Sequence, residues 1–325
     1  MVQYYYKLLL IFLLSFALAN SNSNLIFLSD SPTFSEISSF EAHSQSITST
    51  INLSNGMIAT GSYDGKIKFW NPFDNFILIK TIQANSGWVT SIIELNFGLI
   101  AVGTSDKGIL IFDLRNDYKL VKTLTKHSKI VWSLAKLDNG LFASGSGDCT
   151  VMIWDSDSFQ HITTLIGHIG EVWNLKYLNN NILASASSDD RIKIWNLSTF
   201  KLVHSLDAHN WRITSLVMDH NNNLVSGSAD QTIKIWDVKN NFKLIDTLNH
   251  HKGAVNALVR LDGDLMASGG DDYRIKIWGG KPEDYQVEQT LSGYLINVYR
   301  LVYLDSGVLI GGLSDGRIVV WGKKI

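Results

Sequence analysis

The chain has almost no sulfur chemistry, little proline and nearly balanced charge, and each scarcity excludes something. One cysteine in 325 residues, Cys149, rules out an intrachain disulfide framework and any zinc site built on paired cysteines. Three prolines leave long stretches of backbone free for unbroken strands. Lysine and arginine number 28 against 30 acidic residues, so the formal net charge of −2 gives no electrostatic reason to expect nucleic acid. The sequence contains no Gly-rich phosphate loop and no HExxH pair, so neither a cofactor nor a metal is expected. His204 with His209, and His250 with His251, are the pairs closest to a ligand set, and the repeat described below gives His209 and His251 a structural role instead.

What is present is a repeat of about forty-two residues. An aromatic residue closes the same alternating run at Trp70, Phe112, Trp154, Trp195, Trp236, Trp278 and Trp321. Six residues before each stands an aspartate: Asp64, Asp106, Asp148, Asp189, Asp230, Asp272 and Asp315. This register selects Asp189 over Asp190 in "SSDDR", and Asp272 over Asp271 in "GGDDYR". Another 21 residues back come His43, Asn85, His127, His168, His209, His251 and Tyr294, and 17 residues after those come Thr60, Val102, Ser144, Ser185, Ser226, Ser268 and Gly311. A nucleophile, a base and an orienting acid need one pocket, and an enzyme has no use for five complete sets at one spacing. Five sets do suit a structural chain of hydrogen bonds that satisfies buried polar groups.

These residues resemble the WD-repeat family over roughly residues 34–325. The quartet His168, Ser185, Asp189 and Trp195 corresponds to that family's histidine, serine, aspartate and tryptophan tetrad. Four more complete quartets are His43, Thr60, Asp64 and Trp70; His127, Ser144, Asp148 and Trp154; His209, Ser226, Asp230 and Trp236; and His251, Ser268, Asp272 and Trp278. The resemblance implies an all-β chain, a seven-bladed β-propeller of four-stranded antiparallel blades. Local patterns agree, because each copy reads as short strands separated by turns such as "LSNG" and "LDNG". The first strand, a, is expected to begin four residues after the histidine position. The last, d, is led by an aromatic nine residues before the next histidine position: Phe34, Phe76, Tyr118, Phe159, Phe200, Phe242 and Tyr285. Copy seven stops at its tryptophan strand, while Phe34–Ala42 reads as an outer strand with no copy before it, so the N-terminal strand is expected to complete the last blade. Copies two and seven, which lack the histidine and serine, are expected to rely on apolar packing. Lys68, Lys193, Lys234 and Lys276, two residues before the tryptophan, read as solvated strand positions.

The N-terminus follows another pattern. "MVQYYYKLLLIFLLSFALAN" combines Lys7, a twelve-residue apolar run from Leu8 to Ala19 and the small-residue site Ala17-Leu18-Ala19. That is the pattern of a secretory signal peptide, too short for a bilayer span of about 20 residues. The expected organisation is a signal peptide at 1–19, a polar leader at 20–33 and the propeller at 34–325. Localisation would be the secretory pathway or outside the cell, with no stable membrane span once the leader is removed; the cytoplasm, usual for the resembled family, is the alternative. In a secretory lumen the sequons at Asn52 and Asn196 become possible glycosylation sites.

Function must lie on the surface, because the tetrads explain only how the ring holds together. The resemblance implies that positions three and five after the histidine, and the residue before the aspartate, line one mouth of the ring where partners dock. Here those positions supply Trp88, Thr90, Ile130, Trp132, Glu171, Trp173, Arg212 and Thr214, with Tyr63 and Tyr299 in register and Trp211 beside Arg212. Six of ten tryptophans belong to the repeat, and the other four fall at this place in copies two to five. Trp, Tyr and Arg carry much of the binding energy at interfaces, which points to an aromatic arc that binds a protein or peptide. Packing between blades is the other reading of Trp132 and Trp173. The function implied is a non-catalytic interaction scaffold; the alternative is an extracytoplasmic propeller that binds a small ligand or acts as a hydrolase.

Overall fold

A computed structural model of the chain describes residues 33–323, apart from Ser86 and Phe97. The segments read as signal peptide, 1–19, and as leader, through residue 32, lie outside the described residues. The described residues form seven four-stranded antiparallel sheets, with one short 3-10 turn at Val238–Asn240. This is the seven-bladed propeller expected from the sequence.

In the first blade, strands a to d are Ile47–Asn52, Ile58–Ser62, Lys66–Asn71 and Ile77–Gln83. In the other blades strand a opens at Val89, Val131, Val172, Ile213, Val255 and Val298, always a β-branched residue four positions after the histidine register. These seven inner strands pack side by side around a channel and close on themselves, the last against the first. Each core layer lies between neighbouring blades: Ala59, Ile67 and Phe69 of blade one meet Val89, Ile92, Val102 and Phe112 of blade two. The approach is close enough to require a glycine. A Cβ on Gly61 would stand 2.3 Å from Val89 Cγ1, so strand b can lie under the next blade only without a side chain there.

The ring closes as expected, on Phe34–Glu41. This strand pairs antiparallel with Arg317–Lys323 and is the fourth strand of the last blade, whose order is Phe34–Glu41, Arg317–Lys323, Val308–Leu313, Val298–Tyr303. Gln289 of blade six clamps its start: Phe34 N donates to Gln289 Oε1 and Gln289 Nε2 donates to Phe34 O, both at 2.7 Å. At its far end Ala42 N and His43 N both donate to Gly316 O.

Two sequence expectations need correction. The aromatics Phe76, Tyr118, Phe159, Phe200 and Phe242 do not stand in strand d; they occupy left-handed turns just before it, with φ between 53° and 59°. The lysines two residues before the tryptophan are not solvated. Lys68 Nζ and Lys234 Nζ donate to the carbonyls of Ala42 and Ala208, Lys193 Nζ donates to Ser205 Oγ, and Lys193 and Lys276 are buried. Ala42 and Ala208 lie in the loops that lead into strand a of the lysines' own blades, and Ser205 lies on strand d, so each of these ammonium groups bonds within the fold.

Candidate functional site: five relays and an aromatic mouth

The five complete quartets form five nearly superimposable hydrogen-bond relays. In blade four, Trp195 Nε1 donates to Ser185 Oγ at 2.8 Å, Ser185 Oγ meets His168 Nε2 at 2.7 Å, and His168 Nδ1 meets Asp189 Oδ2 at 2.7 Å. The two ends fix the direction, since an indole N–H only donates and a carboxylate only accepts. Each serine or threonine hydroxyl therefore donates to Nε2, and each Nδ1–H donates to the aspartate. The same contacts lie between 2.6 and 3.0 Å around Thr60, Ser144, Ser226 and Ser268. The unregistered aspartates serve elsewhere: Asp190 takes a left-handed turn position, and Asp271 accepts from Asn256 Nδ2 at 2.6 Å.

Each relay aspartate also accepts two backbone N–H groups. For Asp64 burial pushes the pKa up, but the bond and charge of His43 and the amides of Lys66 and Ser44 outweigh it and hold the group at about 2. Asp148, Asp189, Asp230 and Asp272 are lowered by the same balance of burial against histidine and backbone donors. Burial lowers His43 despite the pull of Asp64, which favours the neutral imidazole the relay uses.

Blades two and seven depart from this pattern in opposite ways. Blade two has Val102 and Phe112 in one apolar cluster, as expected. Blade seven keeps a relay, contrary to expectation: Trp321 Nε1 donates to Tyr294 Oη at 3.1 Å, and Tyr294 Oη donates to Glu36 Oε2. Gly311 makes room for it, because a Cβ there would come within 2.8 Å of the Trp321 ring. Burial and the Glu36 bond push the Tyr294 pKa well above the usual phenol value, keeping the hydroxyl protonated.

The channel mouth into which strands a descend is lined differently. A cavity of about 290 Å³ is bordered by Thr48, Tyr63, Thr90, Trp132, Trp173, Arg212, Thr214, Asn256, Tyr299 and Arg300. Trp132 and Trp173 stack with centroids 4.2 Å apart at 19°, and the Arg212 guanidinium lies 5.2 Å from the Trp173 ring centre. Glu171 accepts from Trp132 Nε1 at 3.0 Å and holds the stack in place. Trp173 Nε1 and Arg212 Nε are buried without a hydrogen-bond partner, a state that costs about 1–3 kcal/mol for each group. Across the cavity, Arg300 Nε donates to Thr48 O and one Nη donates to Tyr299 O at 3.1 Å. Burial lowers the Arg300 pKa and raises that of Tyr63, whose hydroxyl therefore stays a donor beside it.

Tyr63, Trp132, Trp173, Arg212 and Tyr299 thus meet in one cavity. Trp88 extends it over the rim, 4.8 Å from Tyr63 and 44% exposed. Trp211 is 64% exposed, but neither it nor Ile130 lines the cavity. Thr48, Thr90 and Thr214 carry a structural load as well, since each hydroxyl donates to a carbonyl of the next blade, Val89, Val131 and Val255. Sequence reasoning missed Arg300, Asn256 and Thr48. Arg300 was visible as an outlier in register: the other copies hold Ser49, Ser91, Ser133, Asn174, Ser215 and Ala257 there. Below the mouth the channel is lined by these small residues, with Lys176 and Arg300.

His204 packs on Phe242 and His250 on the edge of Trp278, and the described residues hold no group of three or more His, Cys, Asp or Glu side chains suited to a metal. Asn52 is exposed at the end of strand a, whereas Asn196 Oδ1 accepts from the amides of Ser198 and Thr199 within a turn. No described helix is long and apolar enough to cross a membrane. Residues 34–71, 118–155, 159–196, 200–237 and 242–279 match a family model described as WD domain, G-beta repeat. The five matched segments are those that end one residue after the tryptophans of the complete relays. Among curated proteins no match is found.

Proposed function

Because the matched segments cover more than half of it and the chain therefore belongs to the WD-repeat family, we propose that it is a non-catalytic scaffold whose protein or peptide partner docks on the aromatic mouth. Propellers of this family are typically protein-interaction scaffolds. The observation that carries the reading is the contrast within each blade. Relay residues are buried and spent on the ring, while Trp88, Trp132, Trp173 and Arg212 do not belong to the relay and gather at one end of the channel. Large amphipathic side chains held in place by stacking bind with little loss of conformational freedom.

A photo-crosslinking residue placed at Trp88 or Trp211 tests this in cells, against one at exposed Asn222 in the turn between strands a and b at the other end of its blade. Discrete adducts are expected from the first two positions. Adducts arising equally or only from position 222 would move the docking face elsewhere. On the signal-peptide reading of residues 1–19 the scaffold works in the secretory lumen or beyond; the N-terminal sequence of the protein expressed with its own leader in a eukaryotic host decides it. A first residue at Asn20 supports that reading, and a retained Met1 in cytosolic protein rejects it.

A further inference from the structure

The cavity lining at the mouth carries cations and no carboxylate, in a chain whose overall charge is nearly balanced. Two arginines, Arg212 and Arg300, border the cavity, and among its described lining residues there is no aspartate or glutamate. Lys176 and Arg300 line the channel beneath, again without a carboxylate. The nearby acids are already engaged. Glu171 accepts from the Trp132 indole, Asp271 from Asn256, and Asp64 from His43 and two backbone amides. Arg212 and Arg300 form no ion pair among the described residues, as is also true of the exposed Arg260 and Arg274, whereas Arg115, Arg191 and Arg317 pair with Asp113, Asp207 and Asp315. The donors without an acceptor, Trp173 Nε1 and Arg212 Nε, lie on the same wall. Trp173 Nε1 and Arg212 Nε ask for an acceptor, and the guanidinium charges of Arg212 and Arg300 favour one that is negative.

We propose that the mouth recognises an acidic peptide, with the carboxylate of an aspartate or glutamate side chain drawn to Arg212 and Arg300 and its neighbours resting on the Trp132–Trp173 stack. The proposal rests on the reading of the mouth as the docking face. A cationic ligand is disfavoured on the same grounds: Arg212 already occupies the reach of the Trp173 ring, and two guanidinium groups repel a third cation. Charge-assisted bonds from arginine to carboxylate are short and directional, so the site would select one acidic position rather than bulk negative charge.

The test is a positional-scanning decapeptide library in which single positions are fixed as Glu, Gln, Lys or phosphoserine, captured on the immobilised full chain. The best Glu peptide and its Gln counterpart are then titrated by fluorescence anisotropy. Wild type should bind the Glu form at least about tenfold more tightly, equivalent to about 1.4 kcal/mol. Arg212→Gln should erase that difference, Arg212→Lys should keep part of it, and Lys176→Met, farther down the channel, should reduce it without erasing it. Equal binding of Glu and Gln peptides, or a preference for Lys, would overturn the inference. A phosphoserine form binding tenfold better than Glu would assign the mouth to phosphate and overturn it as stated. Charge-indifferent peptides whose binding is lost in Trp132→Ala would sink the acidic preference while leaving the docking face intact; binding of no peptide would count against both.

Discussion

Blades two and seven have both lost the relay histidine and serine, yet they solve the loss in opposite ways. Blade seven keeps its tryptophan, and the buried Trp321 N–H finds the Tyr294 hydroxyl, which passes the bond to Glu36. Blade two replaces tryptophan with Phe112, whose ring has no N–H, and an apolar neighbour, Val102, then suffices. The difference shows what the relay is for: a large aromatic fills the gap between blades, and if it is an indole its donor must be satisfied. In blade seven the substitute also ties down the closing strand, because Glu36 belongs to Phe34–Glu41.

Acid should bring out the contrast most strongly. The five relay aspartates have folded pKa values below their ordinary 3.8, so their contribution is complete above that pH and is lost as pH falls toward about 2, the value for Asp64. His43 has the same sign, since its lowered pKa favours the folded state above its ordinary 6.5 and loses that effect below it. Stability should be level between about pH 7 and 9, fall slightly below 6.5 and fall steeply under 4, by on the order of 5 kcal/mol in total on the acid side. Thermal melts across pH check this; a midpoint that rises on acidification would contradict the relay polarity.

Next in size is Asp189→Ala, which strands His168 Nδ1–H and two backbone amides and should cost about 3 kcal/mol; Asp230→Ala should behave alike. Asp106→Ala, in the blade without a relay histidine, should cost less than about 1 kcal/mol. Equal melting losses would break the distinction between intact and degenerate blades. Tyr294→Phe should cost about 2 kcal/mol and speed hydrogen exchange in residues 34–41. Adding Trp321→Phe removes the indole donor, so the double variant should lose less than the sum of the two single losses. Phe112→Trp should cost about 1–2 kcal/mol, part of which Val102→Ser in the same chain should restore by supplying an acceptor. Failure of that rescue would mean that packing, not the N–H, governs blade two.

Much of this ring was legible because one repeat states its register seven times. Strand a starts where the histidine spacing places it in every blade, and the choice of Asp189 over Asp190 needed only counting. What escaped was information that no single copy contains. Glu36 and Tyr294 lie 258 residues apart, so their bond exists only because the ring closes. Arg300 sits where other copies place small residues, and its pairing with the Thr48 carbonyl again crosses the closure. Lys193 looked solvated because alternation within one strand cannot show the cover that strand d provides. At the mouth the sequence supplied Trp132, Trp173 and Arg212 but not their stacking, which depends on the angle between neighbouring blades.

The central claim is that the relays build the ring while the unrepeated aromatics at one mouth carry its function. The most direct test measures affinity and melting temperature together for Trp132→Ala and Asp189→Ala, using the tightest peptide from the library. The account predicts at least about a tenfold loss of affinity with only a modest melting shift for Trp132→Ala, and the reverse for Asp189→Ala assayed well below its melting point. Unchanged affinity in Trp132→Ala, with the peptide still bound, would contradict it.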